Sequence, residues 1–172
     1  DEHYILCYFL GESRKYMGYV QTLSKKMGIP FYIIPQKVWE KKSGNAVPFE
    51  VGPSEFVSLI KNADYVCTDS YHGMAFSINY NIPFSVFKRF SDNDPKNQNS
   101  RILGLLKSLQ LESRLTDVQA KCAEHTAINC DFSAANRLLK MLRSDSMKYL
   151  QDALNEALCE HAVKRSLYKI TD

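Results

Sequence analysis

The chain has 172 residues, enough for one domain with a sizeable core, and its 45% apolar and 24% charged content is that of a globular protein. A formal charge of +3, from 22 Lys and Arg against 19 Asp and Glu, is too small and too evenly spread to point to nucleic acid. No apolar run approaches the roughly 18 residues of a membrane span, so no integral membrane segment is expected. The five cysteines, an odd number without tight spacing, argue against a disulfide framework and for a reducing compartment.

In chain order, residues 4–9 read as a strand buried on both faces. Gly11 and Glu12 make a turn, Ser13 caps a helix to Met27, and Gly28 closes it. Residues 30–34 are a second strand, again apolar without alternation. Residues 36–51 are polar and irregular. A helix starts near Gly52 and Pro53, carries Phe56, Leu59 and Ile60 at helical spacing, and ends near Asn62. Residues 65–67 form a strand, 73–80 a helix and 83–87 the next strand. Residues 91–100 have no apolar periodicity and read as loop. Residues 101–109 form a helix with Ile102, Leu105, Leu106 and Leu109 on one face. Asp131 or Ser133 caps a further helix bearing Leu138, Leu139 and Leu142. A last helical pattern runs from Asp145 through Met147, Leu150, Leu154 and Leu158 into a basic tail.

Strand alternating with helix predicts an α/β fold: a Rossmann-like, three-layer domain with a mainly parallel sheet. The expected division is a domain over residues 1–143 and a helical extension over 144–172, packed on the same domain or on a further half. Ligands of such sheets bind outside the carboxyl ends of the strands. The segment ADYVCTDSYHGMAFSINYNIPF crowds its polar residues into one such turn, from Thr68 to Gly73. The helix that follows offers unpaired N–H groups and the positive end of its dipole, so the turn suits an anion. Cys122, His125 and Cys130 lack the spacing and the fourth ligand of a zinc site, and no metal is expected.

Three segments, VGPSEFVSLIKNADYVCTDS, YHGMAFSINYNIPFSVFKR and NSRILGLLKSLQLESRL, in this order, resemble the C-terminal half of the polysaccharide pyruvyl transferase family. The opening YILCYFLGESRKY resembles the first strand and helix of that half. The resemblance implies the donor-side half of a two-domain transferase, similar to those of the GT-B type. It also implies a missing N-terminal half, phosphoenolpyruvate as the anionic donor, no separate cofactor, and a sugar of a bacterial-type surface polysaccharide as acceptor. The expected location is cytoplasmic, with peripheral association with the inner face of the membrane as a further option.

Within this resemblance His72 is the candidate for proton transfer or for binding the donor's anionic end. The N–H groups of Gly73 and Met74 and the Ser70 hydroxyl are expected to bind phosphate, and Asp69 to orient His72 or meet a sugar hydroxyl. Glu55 is a further candidate for sugar contact. The family's turn carries an arginine two positions before the histidine, where this chain has Ser70. Arg101, Lys88 and Arg89 are the candidate replacements, Arg being suited to bidentate binding of an oxyanion. Plainer roles stand beside these: a structural histidine, helix-capping by Asp69, Ser70 and Glu55, and solvated charges at the three cations. Two alternatives remain, a glycosyltransferase-type domain for a nucleotide sugar and a non-catalytic binding domain of the same fold.

Overall fold

The structure, a computed structural model, describes residues 2–168. Two compact units divide between Phe132 and Ser133. The first holds a four-stranded, all-parallel sheet in the order β2-β1-β3-β4: β1 Ile5–Tyr8, β2 Phe31–Ile33, β3 Tyr65–Thr68 and β4 Phe84–Val86. This is the Rossmann-like α/β arrangement the alternation predicts. β1, β3 and β4 are short and almost wholly buried, which explains their continuous apolar sequence, whereas Phe31 and Tyr32 of the edge strand β2 are half-buried.

Alternate residues build the two faces. On one, Ile5, Cys7, Phe9, Tyr65 and Cys67 pack against Tyr16, Tyr19, Val20 and Leu23 of the first helical segment. That segment begins as a 3-10 turn, Ser13–Tyr16, and continues as α1, Met17–Met27, which ends on Gly28 at φ 69° with its N–H bonded to Ser24 O. The short helix α6, Ala120–His125, covers α1 on this side. The opposite face carries α3, Pro53–Lys61, and α4, Tyr71–Tyr80. Here Tyr8 meets Phe56 edge-on at 4.9 Å, and Phe56 meets Phe76 at 5.9 Å.

β1 connects outward to β2, whereas β3 connects outward to β4 on the other side. The strand order therefore reverses between β1 and β3, and their carboxyl ends flank the topological switch point.

Several local expectations need correction. Ser13 caps nothing: Glu12 takes the cap position, and the buried Ser13 hydroxyl donates to Glu40. Residues 36–51 are not without structure, because they contain the short helix α2, Val38–Lys41. The reason is Glu40, a fully buried carboxylate that also accepts the N–H groups of Gln36 at 2.6 Å and Lys37 at 2.8 Å. The helix expected from 101 starts earlier, as α5, Asn99–Leu109. In the second unit the break expected near Asp145 is not there. One helix, α7, runs over Ser133–Tyr168. Neither Gly nor Pro interrupts it, and Ser144, Asp145 and Ser146 are exposed, where such residues are tolerated. The end of the basic tail lies outside the described residues. Among those described, no helix is long and apolar enough to cross a membrane.

Glu40→Ala leaves two backbone N–H groups and a buried hydroxyl without their acceptor, and is expected to cost about 2–4 kcal/mol. Urea denaturation of the two proteins checks this. An unchanged midpoint would show that water replaces the carboxylate at no cost.

Candidate functional site

The turn from Thr68 to Gly73 is built by close packing against β1. Thr68 Oγ1 donates to Tyr8 O at 2.6 Å and itself accepts Ser70 N–H at 3.0 Å. Gly73 lies directly over this side chain. A Cβ on it would stand 2.5 Å from Thr68 Oγ1, so only glycine lets α4 start so close to the strand.

Asp69 is fully buried, and its carboxylate accepts three hydrogen bonds: Leu10 N–H at 2.7 Å, Gly11 N–H at 2.9 Å and the Tyr16 hydroxyl at 3.0 Å. Burial first, and then the Asp69 charge, push the Tyr16 phenol up, which keeps it a donor. The orienting contact from Asp69 to His72 is not made among the described residues. Asp69 instead closes the switch point, holding the loop after β1 against the turn after β3. Gly11 belongs to the same packing, since a Cβ there would stand 2.6 Å from Asp69 Oδ2.

Ser70 is the N-cap of α4, as its residue type suggests, with Gly73 N–H pointing to its Oγ at 3.5 Å. Met74 N–H bonds to Ser70 O at 3.0 Å. Gly73 and Met74 are both buried, so the two N–H groups expected to hold phosphate are turned into the helix. The first-turn N–H groups of Tyr71 and His72 are the ones without intrahelical partners.

His72 is exposed, and its ring stands edge-on to Tyr71 with centroids 6.0 Å apart. Arg101, in the first turn of α5, lays its guanidinium over the face of the same tyrosine, 4.8 Å from the ring centroid. The structure thus brings Arg101 and His72 to one side chain, next to the position where the resembled family has its arginine. Asn99 makes this possible. It is buried, and its side-chain amide bonds to Phe90 O at 2.8 Å, which pins the 90–99 loop and fixes where α5 begins.

Arg89 lines the same narrow cleft together with Asp69, Tyr71, Gln98, Asn99 and Arg101. One of its terminal nitrogens donates to Asp69 O at 3.3 Å, while its Nε is shielded from solvent and unpartnered among the described residues. Lys88 faces elsewhere. It pairs with Asp92 at 2.9 Å and borders a separate cavity with Leu115 and Thr116. Glu55 is not brought to this cleft either. Its carboxylate folds back over Gly52 and the start of α3, where its own N–H and the Ser54 hydroxyl hold it below the usual carboxylate range. An open groove beside it, walled by Tyr8, Phe56 and Phe76, continues towards a cavity of about 650 Å³ bordered by Ile34, Gln36 and Phe49.

Sequence reasoning missed Tyr71 as the platform for Arg101, and missed Tyr16, Thr68 and Asn99 as the groups that position the cleft. Of these, only the Thr-Asp-Ser run carried a local signal, the polar side chains of a strand-to-helix turn. The family model for polysaccharide pyruvyl transferase matches residues 1–89, a span that includes all four strands and ends at Arg89. Among curated proteins and solved structures none matches the chain.

Asp69→Ala is expected to cost about 2–4 kcal/mol, since three donors lose their acceptor, and Tyr16→Phe about 1 kcal/mol. In a double-mutant cycle by urea denaturation, most of the Tyr16 effect should be lost in the Asp69→Ala background, leaving the share owed to its longer bond to Lys88 O at 3.4 Å. Full additivity would remove the shared hydrogen bond from the account. Gly73→Ala should lower stability by about 1–3 kcal/mol through the Thr68 clash.

Proposed function

The chain belongs to the polysaccharide pyruvyl transferase family, and we propose that it forms the donor-side half of such an enzyme, with phosphoenolpyruvate as donor and a glycan sugar as acceptor. The observation that carries this reading is the meeting of His72 and Arg101 on Tyr71, at the start of α4.

In the proposed reaction the open N–H groups of Tyr71 and His72, the α4 dipole and Arg101 hold the donor's anionic groups. Arg101 supplies from α5 the cation that the family places at the position of Ser70. Its planar fork can donate two parallel hydrogen bonds to a carboxylate or phosphate. Arg89 adds positive charge at the back of the cleft. His72, exposed beside them, gives a proton to the methylene carbon of the donor. A sugar hydroxyl adds to the neighbouring carbon. A second hydroxyl then displaces phosphate, closing a pyruvate ketal, and the hydroxyl protons leave with base and phosphate. The groove of Tyr8, Phe56 and Phe76 gives the acceptor an apolar wall next to the switch point. A second half of the protein would supply the facing wall of the cleft, and the isolated chain is then expected to bind donor without turning it over.

Calorimetric titration of the chain with phosphoenolpyruvate tests this. Saturable binding is expected, weakened about tenfold or more in Arg101→Ala and less in His72→Ala, because one charged contact is worth about 1.5–3 kcal/mol. In the assembled enzyme, His72→Ala should abolish turnover while leaving donor affinity within a few-fold. Binding of a uridine or cytidine sugar nucleotide, with none of phosphoenolpyruvate, would give the site to glycosyl transfer instead. Equal affinity of wild type and Arg101→Ala would remove Arg101 from the donor site.

A further inference from the structure

A second pocket lies on the other face of the sheet, away from His72. It is an open cavity of about 430 Å³ between β4 and the segment joining the 3-10 turn Glu112–Arg114 to the end of α6. Tyr65, Ser85, Arg114, Thr116, Asp117 and His125 are among the residues that border it. Its wall mixes these polar groups with Phe84 and Leu115, and a buried network of hydroxyls lies behind it. Ser85 Oγ bonds to the Tyr65 hydroxyl at 2.8 Å and to the Tyr19 hydroxyl at 2.6 Å, and Tyr19 reaches Thr126 Oγ1 at 2.7 Å.

Arg114 is the unusual member. It is only 8% exposed, yet no carboxylate pairs with it among the described residues. Two of its nitrogens donate to backbone carbonyls, Nη1 to Ala127 O and Nη2 to Asn129 O, both at 2.9 Å. Its Nε is shielded from solvent and has no acceptor among the described residues. Two neutral carbonyls explain why an arginine ties the 127–129 segment down, but they carry no formal negative charge, and the carboxylates nearby, Asp117 at the pocket and Asp131 beside Cys130, make no direct ion pair with it among the described residues. Burying a guanidinium without a counter-charge is unfavourable. Nε is out of reach of any ligand, but each terminal nitrogen uses one N–H on a carbonyl and keeps a second, through which an oxyanion in the pocket can neutralise the cation.

We propose that this pocket is a binding site for a small oxyanion, a carboxylate or a phosphate, held by the buried guanidinium of Arg114. The exposed Ser113 and His125 stand at the rim, where a hydroxyl or an imidazole N–H can donate to the same ligand. Asp117 also borders the pocket, with its carboxylate taken by Gln119 N–H at 3.2 Å, and it limits how much negative charge the rim tolerates. The ligand is therefore expected to carry a single anionic group.

The test uses inorganic phosphate and, separately, acetate as probes, followed by NMR at the arginine Nε–H resonances. It is run on the wild type and on His72→Ala/Arg101→Ala, which removes the proposed donor contacts. Saturable movement of the Arg114 resonance is expected in both proteins, with dissociation constants within about twofold of each other. Whether phosphate, acetate or both produce it identifies the ligand class. Ser113→Glu places a carboxylate at the rim without touching the backbone ties, and should weaken binding about tenfold or more. Arg114→Lys, checked for folding by its melting curve, should abolish it. An Arg114 resonance unmoved by either anion would overturn the proposal, as would equal affinity in Ser113→Glu. A chain that ignores phosphoenolpyruvate but shows the Arg114 response would lose the donor reading and keep this site.

Discussion

The Asp69 carboxylate is the constraint on which the functional end of the sheet depends. A buried carboxylate is tolerable only if its lone pairs are met, and here two backbone N–H groups and a phenol meet them. All three donors come from the segment that follows β1, whereas the acceptor follows β3. The bond set therefore spans the reversal of strand order and fixes the distance between its two lips. Everything near the site inherits that geometry. Gly11 must be small because the carboxylate occupies the space of its Cβ, and Gly73 must be small because Thr68 does the same one turn later. Ser70 is left as a cap, and the side chain of His72 projects to solvent.

This arrangement separates support from chemistry. Asp69, Thr68, Tyr16 and Asn99 are buried and committed to protein partners, so their positions are set before any ligand arrives. His72 and Arg101 are exposed and share only Tyr71. In a transferase of the kind proposed, such a division places rigidity in the turn and leaves the proton-transferring and anion-binding groups free to meet the donor. On that proposal, a serine at position 70 does not empty the site of positive charge. In the proposed reading the cation comes from the next helix, where Arg101 is held over the Tyr71 ring and not carried by the turn.

The sheet, the order of its helices and the place of the turn were legible because buried parallel strands and amphipathic helices write their periods directly into sequence. Gly28 and Ser70 were legible as caps for the same reason, being local devices. The misreadings share a physical cause. Ser13, Glu40 and Asp69 look like surface or capping residues, yet Ser13 and Glu40 bond to each other across 27 positions, and Asp69 has a partner 59 positions away. No window on the sequence shows that a loop carboxylate will be buried. Arg101 was one of three candidate replacement cations, but its tyrosine platform was not visible, since Tyr71 and Arg101 are joined by the packing of α5 beside α4. The unbroken course of α7 was missed because Ser144, Asp145 and Ser146 resemble a cap where they are an exposed helical turn.

The central claim is that the start of α4, together with Arg101, receives the anionic donor. Backbone amide NMR of the chain titrated with phosphoenolpyruvate tests it most directly. The account predicts that the amides of Tyr71 and His72 and the Arg101 side chain shift together and saturate together, with Gly73 and Met74 following weakly because their N–H groups are already bonded. Shifts centred on the Tyr8–Phe56–Phe76 groove, with Tyr71, His72 and Arg101 unmoved, would contradict it.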